Sequence, residues 1–343
     1  MWFSCDNKYH IRHFGIAMLP AWWTVRYGMK FGRRFVFDPD YRNAVFAEMK
    51  RESVHILEPL HLKIAFVGDG LSSPDFGNAT AAALFGAETM YPDDNYPWNR
   101  HFPEDMPYDE LSVPDDITAC LPYSEIIGQF EYQNGQRGTA DKPTIPVKGI
   151  LNEAYLLFGS RLLADCLADP DEARKVFEKI QALNRKVLEY TYGTLGHRHL
   201  IMVANCTEAL ISTALYKEIL YEYDAEISRL ATEKYGCTFG VHHCGLFDPY
   251  IEVYASLPNV TALEVGWGSD IRAVMDAFPD ADVNYIVSVS FLNEASVPDA
   301  RKKAEDILRA AGSDAKRLAV SAADLDNGPW ETKLLAMEEV FRA

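Results

Sequence analysis

His242, His243 and Cys244 end a run of apolar and β-branched residues, CTFGVHHC (237–244), and Gly245 follows directly. In an extended strand His242 and Cys244 point to one face and His243 to the other, so a regular strand cannot offer both histidines to one metal. Imidazole and thiolate on one face form a two-point grip for zinc. The plainer alternative is a hydrogen-bonded interior histidine beside a buried thiol. Other donors could complete a site. Glu208 follows HLIMVANC (199–206), and Glu222 lies in LYKEILYEYDAEI, where a solvated helix-face carboxylate is the simpler reading. Asp324 and Asp326 stand at the end of the last predicted strand, and Glu264 is as ready to face the helices as the site. Glu208, His242 and Cys244 are the candidate catalytic groups; Asn205, Trp267, Asp324 and Tyr96 are the candidate substrate contacts.

An alternating pattern from residue 145 onward must position these groups. Short β-branched runs, TIPVKGIL (144–151), HLIMVANC, CTFGVHHC, VTALEVGW (260–267), VNYIVSVSF (283–291) and RLAVSAADL (317–325), alternate with helical patterns. DPDEARKVFEKIQALNRKVLEYTYG and SVPDARKKAEDILRAAG, the second closed by Gly312, are the clearest amphipathic stretches. Such alternation needs a parallel sheet with helical crossovers. With LKIAFVGDG (62–70) as a further strand, it predicts an α/β chain closed as a (β/α)8, or TIM, barrel. Reactive groups in that fold gather where strands end and βα loops begin, and polar side chains stand at each predicted strand end. No GxGxxG or GxxxxGKS/T follows a strand, so nucleotide binding lacks its phosphate cradle.

Residues 1–60 read as an N-terminal helical extension packed on the barrel, with a helix start at Asp38–Pro39–Asp40. Residues 61–343 form the barrel, and 91–146, dense in Pro, Asp, Asn and Tyr, reads as a lid-like excursion. Its Tyr91, Tyr96, Trp98 and Tyr132 are either ring-stacking groups or the lid's own core.

The net charge of −17 argues against nucleic acid, whose phosphates need clustered Lys and Arg. No apolar run reaches the roughly 20 residues that span a bilayer, and MWFSCDNKYHIRHF lacks the apolar core of a secretory signal. A cytoplasmic protein without a membrane partner is expected, and homodimer assembly is left open. The six cysteines form no CxxC pair, which predicts mostly free thiols with one or two metal ligands.

The stretch VHHCGLFDPYIEVYASLPNVTALEVGWGSDIRAVMDAF resembles the H-x-C-G segment and following strand of the uroporphyrinogen decarboxylase superfamily. NCTEALISTALYKEILYEYD, upstream of it, resembles a further element of that superfamily and GPWETKLLAMEEVFRA its C-terminal helix, so the resemblance covers residues 145–343. It implies a (β/α)8 barrel and two possible chemistries. True decarboxylases grip an acidic porphyrinogen with an R-Q-A-G-R-Y type segment. Here AWWTVRYGMKFGRRFVFDP keeps Arg26, Arg33 and Arg34 but not the motif.

The other branch comprises zinc-dependent methyltransferases that work with corrinoid proteins. Members acting on coenzyme M use His-x-Cys and a second cysteine near the last strand, where this chain has Ala322. A substrate-demethylating group of anaerobic bacteria uses two glutamates and a histidine; Glu208, Glu222 and His243 have nearly that spacing. Carboxylate and imidazole ligands suit an oxygen leaving group, and sulfur ligands a thiolate. The resemblance therefore implies zinc-dependent transfer of a methyl group from a small methoxylated or otherwise methylated substrate to a corrinoid protein. A cofactor-free decarboxylase and a metal-free, non-catalytic barrel are the alternatives.

Overall fold

β-branched residues at alternate positions build the strands of one parallel sheet, and the amphipathic stretches between them become its crossover helices. The computed structural model describes residues 3–4, 9–59, 73–74, 76–77 and 79–343. Among them the strands are β1 (Phe3–Ser4), β2 (His13–Met18), β3 (Thr89–Met90), β4 (Trp98–Asn99), β5 (Ile201–Ala204), β6 (Phe239–His243), β7 (Val260–Val265), β8 (Asp282–Ile286) and β9 (Leu318–Leu325). The main sheet runs β1-β2-β9-β8-β7-β6-β5, and β3 with β4 forms a separate hairpin. Six strands are parallel; β1 is an antiparallel addition at the edge.

The long helices follow their signals. Pro170–Leu188 is capped by Asp169, which accepts from the Glu172 N–H. Val297–Ala311 carries a capping box of Ser296 and Asp299, and Gly312 ends it at φ +55°. Asp38 caps Pro39–Leu57 as its spacing predicts. No helix among the described residues is long and apolar enough to cross a membrane.

Three expectations need correction. The stretch read as a helical extension also carries β2, which pairs with β9 inside the main sheet. Its apolar HFGIAM run is too short for periodicity to separate strand from helix, and only the distant partner decides. TIPVKGIL forms no strand: residues 143–149 alternate buried and exposed as a strand would, but Pro146 has no N–H for a ladder, and the helix Ile150–Phe158 begins within the run. VNYIVSVSF stops as a strand at Ile286, and Ser288 caps the helix Val289–Glu294. The LKIAFVGDG run at 62–70 lies outside the described residues.

The sheet's two faces differ sharply. Phe14, Val320, Tyr285, Val265 and His243 lie on one face and are buried. The opposite face carries Ala204, His242, Glu264, Asn284, Ala319 and His13, in register across six strands. The next positions along that face are Cys206, Cys244, Gly266, Ile286, Ser321 and Gly15. Apart from Ile286 these side chains are small, and at Gly266 a Cβ would overlap the Cys244 carbonyl.

The lid-like excursion is held to the rest of the chain. Phe31 N–H donates to Asp93 O at 2.7 Å, Tyr132 OH to Asp40 at 2.8 Å, and Tyr108 OH to Asp165 at 2.6 Å. Its helix, Tyr123–Arg137, buries Tyr123, Ile126 and Phe130. Tyr91 packs on Phe37 and Phe76. Tyr91 and Tyr132 are thus framework residues.

Glu153, in the helix Ile150–Phe158, is fully buried with both carboxyl oxygens lacking a hydrogen-bond partner. Burial pushes its pKa up to about 7, against a smaller opposing pull from Lys148. Between the unfolded value of 4.5 and about 7 the native state keeps a proton that the unfolded chain releases. Stability therefore falls as pH rises through that window, by about 3 kcal/mol from this group. Urea unfolding at pH 4.5 and 8 is expected to show this loss in the natural chain and not in Glu153→Gln. Equal pH dependence of the two would refute the assignment.

Candidate metal centre

β6 delivers His242 at its last turn-facing position and Cys244 just beyond its end. Ala204 of β5 is the register partner of His242, so two residues further on Cys206 stands beside Cys244. The ligand atoms of Cys206, His242 and Cys244 all lie within 4.8 Å of one another.

The imidazole is held from behind. Its Nδ1 is 2.6 Å from Glu264 Oε2, and Asn284 Nδ2 donates to Glu264 Oε1 at 3.0 Å. These three residues are register neighbours on β6, β7 and β8, so the sheet itself builds the relay. With Nδ1 committed to the carboxylate, Nε2 is the ring nitrogen left for the thiols. Metal-ligating histidines are commonly oriented by such a carboxylate.

The electrostatics match. Burial works to lower the His242 pKa, but hydrogen bonds to Cys244 and Glu264 outweigh it and push it up to about 9. The Cys206 thiol donates to Cys244, and with His242 beside it the Cys244 thiol is held down to about 4. Cys206 is raised, first by that same hydrogen bond and then by burial. These shifts favour the thiolate at Cys244 over Cys206, and a cation arriving between the two sulfurs would release protons from Cys206 and His242.

The other candidate ligands go elsewhere. His243 faces the helix layer: its Nδ1 lies 3.2 Å from Tyr254 OH, its ring 4.8 Å from that of Tyr250, and burial lowers its pKa to about 4. A neutral histidine among tyrosines is a packing element. Glu222 is exposed and pairs with Arg229 at 3.7 Å. Glu208 is fully buried and is not one of the three converging ligands, though it lies within electrostatic range of both sulfurs; its carboxyl is pushed well up by burial first and by Asp224 second. Its Oε2 has no hydrogen-bond partner. Asp326 accepts from Asn293 at 3.0 Å and from Gly328 N–H at 2.9 Å, closing a turn.

The candidate substrate contacts divide. Asn205 is fully buried and donates to Asp224 at 2.6 Å, as Tyr216 OH also does, so it ties β5 to the helix Tyr221–Arg229. Trp267 is covered by Phe291 at 4.6 Å and by Lys303 at 4.7 Å. Both have structural work. Asp324 and Tyr96, by contrast, line one cleft. Burial raises the Asp324 pKa, and among further influences Cys244 adds to the rise while His242 opposes it, so Asp324 lies within electrostatic range of the cluster.

Sequence reasoning passed over Cys206. The signal was present: HLIMVANC and CTFGVHHC are adjacent predicted strands that both end in cysteine. Parallel pairing in register brings the two endings together.

Fold and site together define a parallel α/β protein with a thiol–imidazole cluster at the carboxyl ends of its strands. Its fold is shared with a methyltransferase from Methanosarcina mazei: the TM-score is 0.64 over 99% of this chain and 94% of that one, at 12% identity. At that identity the likeness shows the fold alone. No protein-family model matches this sequence, and no curated protein matches it.

Proposed function

We propose that this chain is a methyltransferase of the uroporphyrinogen decarboxylase superfamily, with zinc held by Cys206, His242 and Cys244. The cluster of those three side chains carries the reading. Two sulfurs and one nitrogen form a donor set suited to zinc, and three protein ligands leave a fourth position for substrate. The barrel of this proposal places the extended residues 143–149 beside β5: Gly149 lies so close to it that a Cβ there would overlap the Ala204 carbonyl.

When bound, zinc would supply thiolate stabilisation, keeping a substrate sulfur deprotonated at neutral pH. The chain's own residues do the remaining work. Glu264 and Asn284 orient the His242 ring, while Cys206 and Cys244 hold the sulfur side of the site. Tyr96, Trp98 and Leu156 line the adjoining cleft. Sulfur-rich ligands favour a small thiol as methyl acceptor over an ether oxygen as leaving group. Glu208 and Glu222, which ether demethylation would draw on, lie outside the cluster. In the proposed reaction a corrinoid protein brings the methyl group, the substrate sulfur gives up its proton and takes the methyl, and the corrinoid keeps the bonding pair. Demethylation of an O-methyl substrate is the second reading, favoured by the aromatic lining at Tyr96 and Trp98.

Among the described residues, the three arginines that the decarboxylase alternative would draw on each have a partner of their own. Arg26 pairs with Glu331 at 2.7 Å, Arg33 lies over the Phe37 ring at 4.3 Å, and Arg34 pairs with Asp38 at 3.2 Å.

A metal-free reading does have an observation behind it. Cys244, His242 and Glu264 also form a nucleophile, base and orienting carboxylate. One experiment separates the two. Purified protein is analysed for zinc, then mixed with methylcobalamin and 2-mercaptoethanol while cobalt absorbance is followed. One zinc per chain and demethylation abolished by chelation are expected. Zinc-free protein whose Cys244 reacts rapidly with iodoacetamide, with cobalt absorbance unchanged, would replace methyl transfer by thiol catalysis.

A further inference from the structure

The end of β9 is irregular in a way that serves one side chain. Ile16 stands opposite Ala322 but Met18 opposite Leu325, so β9 carries one residue more than β2 over this stretch. The bulge includes Asp324, at φ +57°, a conformation that residues other than glycine seldom adopt. Bulges of this kind re-aim side chains at strand ends, and backbone in unusual regions gathers at functional sites. Here Asp324 lines a cleft of about 510 Å³.

The opposite wall comes from the excursion: Asn95, Tyr96, Pro97, Trp98 and, from the helix Ile150–Phe158, Leu156. It is braced. Lys30 pairs with Asp93 at 3.1 Å, and Gly77, at φ +54°, packs so closely that a Cβ there would lie 3.3 Å from Tyr96 Cβ. Trp98 is nevertheless 48% exposed. Among the described residues lining the cleft there is no Lys, Arg or His. A carboxylate with tyrosine and tryptophan attracts an organic cation through charge and ring quadrupole and repels an anion.

We propose that this cleft is a subsite for a small organic cation, taking the ammonium-type head group of the substrate. As a statement about the methyl acceptor it rests on the methyl-transfer reading, and makes that acceptor a small thiol bearing an ammonium group. As a statement about binding it rests on the cleft alone.

Choline, 3,3-dimethylbutan-1-ol and 3,3-dimethylbutanoate have nearly the same shape and differ in charge. Titrated calorimetrically into the full chain, choline is expected to bind at least tenfold more tightly than the neutral alcohol, and the carboxylate most weakly. Asp324→Asn should remove most of the preference for choline while leaving the alcohol unchanged, and Trp98→Ala should weaken choline binding several-fold. Equal affinity for choline and the alcohol, no choline binding, or an unaltered preference in Asp324→Asn would overturn the proposal. Zinc content measured on the same samples keeps the two claims apart. Zinc-free protein that still prefers choline sinks the metal reading, whereas zinc-loaded protein indifferent to charge sinks this one.

Discussion

Cys206→Ala protein is expected to bind zinc roughly a hundredfold more weakly than the natural chain, whereas Glu222→Ala binds it unchanged. The reason is the donor count. Cys206, His242 and Cys244 converge within 4.8 Å, while Glu222 sits on an exposed helix face beside Arg229. Competition against a chromogenic chelator measures both affinities. A second readout concerns the metal-free protein. Hydrogen bonds from Cys206 and then His242 hold the Cys244 thiol down to about 4. Removing the first should raise that pKa, so alkylation of Cys244 at pH 6 should slow. Unchanged zinc affinity in Cys206→Ala would leave the cluster as a coincidence of packing.

Glu264→Gln should weaken zinc binding by about ten- to a hundredfold, although Glu264 is not a ligand. The carboxylate fixes both the orientation and the basicity of His242 from 2.6 Å. Burial by itself lowers the proton affinity of this imidazole, and the hydrogen bonds it donates to Cys244 and Glu264 reverse that effect. With the carboxylate gone, the proton affinity of His242 in the metal-free protein should fall about tenfold or more, read by NMR titration of the ring. Asn284→Ala should act in the same direction and less strongly, because it loosens Glu264 without discharging it. A merely structural Glu264 would lower stability and leave the His242 titration where it was.

The two variants also bear on the choice between metal and nucleophile. A metal site loses zinc in both. A thiol nucleophile would tolerate loss of Cys206 better than loss of Glu264, since the base depends on its orienting carboxylate and has no need of a second sulfur.

Several parts of this architecture were legible in the residue order. The strand at 239–243 and the opposed facings of His242 and His243 follow from period-two alternation. The caps at Asp38, Asp169 and Ser296 follow from local chemistry. These are short-range facts. β2 is not legible there, because a six-residue, mostly apolar run carries no period of its own, and its identity depends on pairing with a strand about 300 positions away. TIPVKGIL misled for the converse reason: its residues suit a strand, and one proline denies it the ladder.

The site divides in the same way. Residue types and spacing by themselves determined that His242 and Cys244 share a face, because a strand's geometry leaves no other arrangement. Only the tertiary structure decided that Cys206 joins them, that Glu222 does not, and that Glu264 turns toward His242. Those outcomes depend on which strands lie side by side and in what register. Hydrogen bonds between residues far apart in the chain set that register, and no local pattern encodes them.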